Sequence, residues 1–104
     1  MNEQSNSGTE IDPSGIHPGE VLREDFLTPM HLTAYQLSQS IGVPQTRISQ
    51  ILKGKRSISA DTAHRFARFF GTSAQLWLGL QNQYDLEKTG AKNRAEYERI
   101  AVYA

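Results

Sequence analysis

Residues 33–53, TAYQLSQSIGVPQTRISQILK, decide how this chain folds. Thr33 is placed to cap the unpartnered amides at a helix start, and Gln36, three residues on, can answer the cap's own amide. Leu32 and Leu37 sit where a hydrophobic staple would clamp that start, and Leu37 and Ile41 continue as one apolar stripe. Gly42 adopts positive φ at least cost, so the chain can reverse within three or four residues. Pro44 suits the start of a second helix, in which Ile48, Ile51 and Leu52 recur at i, i+3 and i+4. The spacing predicts two short helices joined by a tight turn.

The face of the second helix that these apolar residues leave outside carries Gln45, Thr46, Arg47, Ser49, Gln50 and Lys53, all polar and none acidic. Gln and Arg end in forked hydrogen-bonding groups that match adenine and guanine edges in the major groove of DNA. Taken alone, such a face is equally an ordinary solvated one. Charge along the chain decides between the two. Residues 1–30 carry six acids against Arg23, a net −5, whereas residues 31–70 carry Arg47, Lys53, Lys55, Arg56, Arg65 and Arg68 against Asp61, a net +5. The rest balances, and the whole chain is neutral. No carboxylate lies between Asp25 and Asp61 in the sequence, so a phosphate backbone approaching the helix pair is expected to meet no local repulsion.

At 104 residues the chain predicts one domain with a modest core. It has no cysteine, which excludes disulfide scaffolds, thiolate zinc sites and cysteine nucleophiles, and suits a reducing compartment. The N-terminus has no basic segment followed by an apolar one, and no apolar run is long enough to span a membrane, so the expected location is the cytoplasm.

In chain order, residues 1–16 are polar and read as a flexible arm. His17-Pro18-Gly19-Glu20 opens a first helix, with Leu22 and Phe26 on its buried side and Pro29 ending it near Leu27. After the helix pair, Gly54 is placed as a left-handed cap amid Lys53, Lys55, Arg56 and Ser57, a basic turn suited to gripping phosphate without sequence preference. Ser59 caps a fourth helix whose inner side is Ala63, Phe66, Ala67 and Phe70, while Arg65 and Arg68, on other faces, are expected in solvent, with phosphate contact as the alternative. Thr72 with Gln75 forms a second possible capping box, for a fifth helix through Leu76, Trp77, Leu80 and Tyr84. Leu78 and part of the Trp77 surface are candidates for a subunit contact, with ordinary core as the alternative. Lys88-Thr89-Gly90 is expected to end that helix. The tail, 89–104, has Tyr97, Ile100 and Ala101 at helical spacing, and reads as either a short helix docked on a partner or a fraying end.

From His17 to about Lys88 the chain resembles the HigA family of toxin–antitoxin addiction modules, within the phage-repressor-like helix-turn-helix class. The resemblance rests on HPGEVL at 17–22, GVPQTRISQILKGKR at 42–56, ISADTA at 58–63, FFGTS at 69–73, LWLGLQ at 76–81 and YDL at 84–86, in that order. It implies an all-α, five-helix lambda-repressor-like domain over 17–88. It also implies a homodimer, an operator in the protein's own operon, and a HigB-like partner toxin that cleaves messenger RNA. Carried onto this sequence, it places base reading at Gln45, Thr46, Arg47 and Gln50, and backbone contact at Thr33, Lys53, Lys55 and Arg56, with Ser49 grouped among the phosphate contacts. Many relatives of the wider class have Ser or Thr where Pro44 stands, which removes one possible cap and phosphate contact.

Other functions fit less well. His17 with Glu20 and Asp61 with His64 are the acid–base pairs at helical spacing, but neither assembles the three or four ligands of a metal site or a nucleophile with a positioned base. No enzyme, metal or cofactor is therefore expected. A solitary repressor-like regulator and a protein-binding module with a vestigial DNA-reading motif remain as alternatives. The acid-free interval is a feature that a purely protein-binding role does not require.

Overall fold

The computed structural model describes residues 16–103, and within them the chain is helical with no strand. The expected arm, residues 1–16, lies outside the described residues except for Ile16. Helix α1 covers Pro18–Val21 and continues with π-type winding through Leu22–Leu27. It is followed by α2 (Ala34–Ile41), α3 (Gln45–Leu52), α4 (Ala60–Phe70), α5 (Ala74–Lys92) and α6 (Arg94–Glu98). The chain divides into a compact unit spanning His17–Gln81 and a second containing Asn82–Tyr103.

The His17–Gln81 unit is built around Leu22, Leu27, Leu37, Ile41, Val43, Ile48, Ile51, Ile58, Ala63, Phe66 and Trp77, all buried. The expected stripes of α2, α3 and α4 supply most of this core. Phe26 joins it from α1, with ring centroids 4.7 Å from Phe70 and 5.0 Å from Trp77, and Phe66 meets Trp77 edge-on at 4.9 Å. Trp77 is 0% exposed, so it offers nothing to a second copy of the chain, contrary to the expectation of a subunit contact there. The reason is the aromatic cage, together with the indole N–H, which donates to Thr72 Oγ1 at 2.9 Å. Leu78 is half-buried against the same core, whereas Leu76, expected inside, is 41% exposed.

That indole bond also corrects the start of α5. Thr72 is engaged by Trp77, and the hydroxyl that caps the helix is its neighbour Ser73, whose Oγ accepts from the Leu76 amide at 3.1 Å. The far end of the helix differs from expectation too. Residues 88–90 do not end α5, which passes through Gly90 to Lys92. A single helical glycine costs only about 1 kcal/mol. Within the Asn82–Tyr103 unit that cost is offset on both sides by i,i+4 contacts, Gln83 to Glu87, Lys88 Nζ to the Tyr84 hydroxyl at 3.3 Å, and Asn93 Nδ2 to the Tyr97 hydroxyl at 3.3 Å. The tail does contain a short helix, α6, and leaves Ile100, Val102 and Tyr103 exposed.

Two buried polar groups are satisfied within the unit, one across a long stretch of sequence and one locally. Gln81 Oε1 accepts from the buried Ile58 amide at 2.8 Å, giving the α3–α4 connection an acceptor it lacks locally. His17, also buried, caps α1 by accepting the Gly19 amide on Nδ1 at 2.9 Å.

Candidate nucleic-acid interface

The helix pair is set by local chemistry. Thr33 Oγ1 accepts from the Gln36 amide at 3.0 Å and Gln36 Oε1 accepts from the Thr33 amide at 2.9 Å, the reciprocal box read from the sequence. Gly42 then takes φ +74°, where a side chain would be strained, and its amide and that of Val43 both donate to the Ser38 carbonyl. Pro44, with φ −62°, precedes α3 and leaves its first turn without a side-chain cap.

At its other end α3 closes with the glycine cap expected at Gly54. This residue adopts φ +73°, its amide donates to Ile51 and the Lys55 amide to Gln50, which is the double hydrogen bond of a Schellman turn. Two other elements hold this end. Arg23 Nη2 donates to the Leu52 carbonyl at 3.0 Å, satisfying one acceptor the helix leaves open. Gly19 lies so close to the Ile51 carbonyl that a Cβ built on it would overlap that oxygen. Helix α1 is thus the backing on which α3 rests.

With Ile48 and Ile51 fully buried, α3 is oriented so that Gln45, Thr46 and Gln50 are exposed and Arg47 and Ser49 half-buried. Lys53, Lys55, Arg56 and Ser57 are exposed beyond it, and Thr33 is exposed at the start of α2. Thr33 Oγ1 accepts in the capping box but keeps its hydroxyl proton to donate. Gln50 is steadied by Arg56, whose Nε donates to its Oε1 at 2.8 Å; the Gln50 amide nitrogen remains a donor.

Arg47 is the residue whose surroundings differ most from what the sequence suggested. Its Nη1 donates to Asp61 Oδ2 at 2.8 Å and lies 3.4 Å from Thr62 Oγ1, leaving the side chain 27% exposed. Asp61 Oδ2 also accepts from Arg65 Nε at 3.0 Å, and Arg65 Nη1 reaches the Ile41 carbonyl at 2.7 Å. Arg65 is therefore bound, not simply solvated, and closes the end of α2 much as Arg23 closes α3. The hydrogen bond from Arg47, then that from Arg65, hold the Asp61 carboxyl below its ordinary value, so it is an anion across the neutral range. An acid thus does stand beside α3, supplied by α4, but it faces two guanidinium groups. Its partners are these arginines rather than His64, with which it had been paired by spacing alone.

Among the described residues no three His, Cys, Asp or Glu side chains gather as a metal site would require, and no helix is long and apolar enough to cross a membrane. What the geometry does offer is a helix mounted on two others with its polar side outward, the one neighbouring acid paired with Arg47 and Arg65, and a basic turn at its end.

This arrangement is that of the helix-turn-helix class, and the helix-turn-helix family HTH_3 matches residues 22–77, more than half of the chain. Virulence-associated protein I of Dichelobacter nodosus is 50% identical over 72 residues, 69% of this chain and 67% of that protein. Among solved structures, an addiction module antidote protein of the HigA family from Coxiella burnetii superposes with a TM-score of 0.82 at 39% identity, over 90% of this chain and 100% of that one. The Pseudomonas aeruginosa antitoxin HigA, solved with the higBA promoter, gives 0.81 at 38% identity over 84% and 95%. The chain belongs to the HigA family of helix-turn-helix antitoxins.

Proposed function

We propose that this protein is the DNA-binding antitoxin of a type II toxin–antitoxin module, acting in the cytoplasm. It binds as a homodimer to the operator of its own operon and represses it, and it neutralises a HigB-like toxin that cleaves messenger RNA. The observation that carries the DNA-binding half is α3 itself, whose outward side presents Gln45, Thr46, Arg47 and Gln50 without an acid while Lys53, Lys55 and Arg56 extend from its end. In this reading the first four enter the major groove and meet base edges. Thr33, Ser49, Lys53, Lys55 and Arg56 hold the flanking phosphates and fix the register without reading sequence. The toxin-binding half rests on family membership.

Two measurements test the two halves. The protein is titrated against a duplex taken from immediately upstream of its own coding sequence and against a scrambled duplex of the same composition. It is also coexpressed with the neighbouring small open reading frame and purified. Preference for the upstream duplex together with copurification is the expected result. Equal binding to both duplexes contradicts autoregulation, and specific DNA binding without a copurifying neighbour identifies a solitary regulator.

A further inference from the structure

The ion pair between Arg47 and Asp61 joins the reading helix to a different helix, and its geometry is one-sided. Both contacts recorded for Arg47 use Nη1. Among the described residues nothing engages its Nε or Nη2. An arginine has five N–H donors in a rigid plane, and recognition of guanine O6 and N7 needs only one edge of that plane. Asp61 therefore occupies one corner of the guanidinium and leaves a complete edge free.

The anchor is itself held. Asp61 Oδ2 receives Arg65 Nε, Arg65 is fixed to the last carbonyl of α2, and Thr62, the other partner of Nη1, is fully buried and bonded to Ser59 at the start of α4. Arg47 is thus tied into a chain running from the end of α2 to the start of α4. An arginine side chain loses much rotamer entropy when it is fixed, and one already ordered loses less of it on meeting a base.

We propose that Asp61 is a specificity-positioning residue: its carboxylate clamps the Nη1 corner of Arg47 and aims the opposite edge of the guanidinium at a base in the major groove. The inference rests on the reading of α3 as the base-contacting helix. It has a recognisable signature, because Asp61 is also a negative charge close to where phosphates would lie. Removing that charge strengthens binding to any duplex, while releasing Arg47 weakens discrimination between duplexes. A carboxylate that merely sequestered Arg47 would give the opposite, with its removal raising affinity for the preferred sequence most.

The test is a double-mutant cycle on full-length protein with Asp61→Asn, Arg47→Ala and the combination, using a duplex that wild-type protein enriches from a random-sequence pool and a scrambled control. Circular dichroism and thermal unfolding of each variant verify that it is folded. In Asp61→Asn the ratio of affinities for enriched over scrambled duplex should fall roughly three- to thirtyfold, with scrambled binding unchanged or stronger. In the Arg47→Ala background the same substitution should leave the ratio where it is. An unchanged or increased ratio in Asp61→Asn overturns the inference, as does a fall that persists without Arg47. If wild-type protein enriches no sequence at all, the base-reading role of α3 fails and this inference fails with it. If it enriches one and Asp61→Asn still discriminates fully, only the role of Asp61 is lost.

Discussion

Substituting Gly19 by alanine tests whether α1 is the seat of α3. The added Cβ would overlap the Ile51 carbonyl oxygen, lie 2.9 Å from that carbonyl's carbon and 3.2 Å from His17 Nδ1. The two backbone atoms cannot rotate away, and the His17 ring can do so only by giving up its bond to the Gly19 amide. The Ile51 oxygen accepts from Gly54 in the turn closing α3, and His17 Nδ1 accepts the amide of Gly19 itself. Relief requires α1 and α3 to separate, at an overpacking cost of about 1–3 kcal/mol. Loss of the His17 cap adds about 1 kcal/mol, and the better helix propensity of alanine returns about 0.5–1 kcal/mol. The net destabilisation is roughly 1–3.5 kcal/mol, corresponding to a fall in Tm of about 4–28 °C for a unit of this size. Two other glycines calibrate it. Gly71→Ala meets no atom within 4 Å but sits at φ +75°, so it should lose only about 1–2 kcal/mol. Gly79→Ala, within α5 and in open space, should gain about 0.5–1 kcal/mol. Urea unfolding followed by circular dichroism, with m unchanged across the set, measures all three. If Gly19→Ala proves as stable as Gly71→Ala, α1 does not press on α3 as described.

Other consequences are as direct. Lys55→Ala should weaken binding to every duplex alike and reduce the log–log salt slope by about 0.9 for each bound subunit, read from titrations over a salt series; a change confined to one sequence would mean Lys55 reads bases. Gln81→Leu leaves the buried Ile58 amide without its acceptor and should cost about 1–3 kcal/mol, with faster hydrogen exchange at Ile58 than in wild type. Thr33→Ala should cost about 1 kcal/mol through loss of the cap, and Thr33→Ser should restore it. Asp61 gives a pH signature. Its carboxyl is held below the ordinary 3.8, so its contribution is complete above that value and disappears as pH falls through the depressed one. Wild type and Asp61→Asn should therefore differ in stability by a constant amount across neutral and mildly acidic pH and converge in strong acid; a difference that varies around neutrality would implicate another group.

What could be read from the sequence was what is decided within one or two helical turns. The Thr33–Gln36 box, the turn at Gly42, the cap at Gly54, the Ser59 cap and the stripe Ala63, Phe66, Ala67, Phe70 each depend on residues close in sequence, and charge along the chain located the basic turn. The anchors of the site were hidden because each depends on how two helices pack. Arg23 reaches Leu52, Arg65 reaches Ile41, and Arg47 meets an aspartate 14 residues on, which nothing in α3 announces. Asp61 and Arg65 at i,i+4 was the one visible part of that network. Thr72 with Gln75 looked like the α5 cap, and only the Trp77 indole, a tertiary contact that engages Thr72, leaves that role to Ser73. The same contact explains why the largest side chain in the molecule looked available for an interface and was not.

In the function proposed above, α3 distinguishes one DNA sequence from another through its outward side chains. Competition binding of Arg47→Ala and Gln50→Ala, each against the wild-type-selected duplex and a scrambled one, tests it most directly. Each substitution should shrink the preference about 5- to 150-fold, the equivalent of roughly 1–3 kcal/mol per base contact, while scrambled binding falls far less. Two folded variants that retain the full wild-type preference would contradict it.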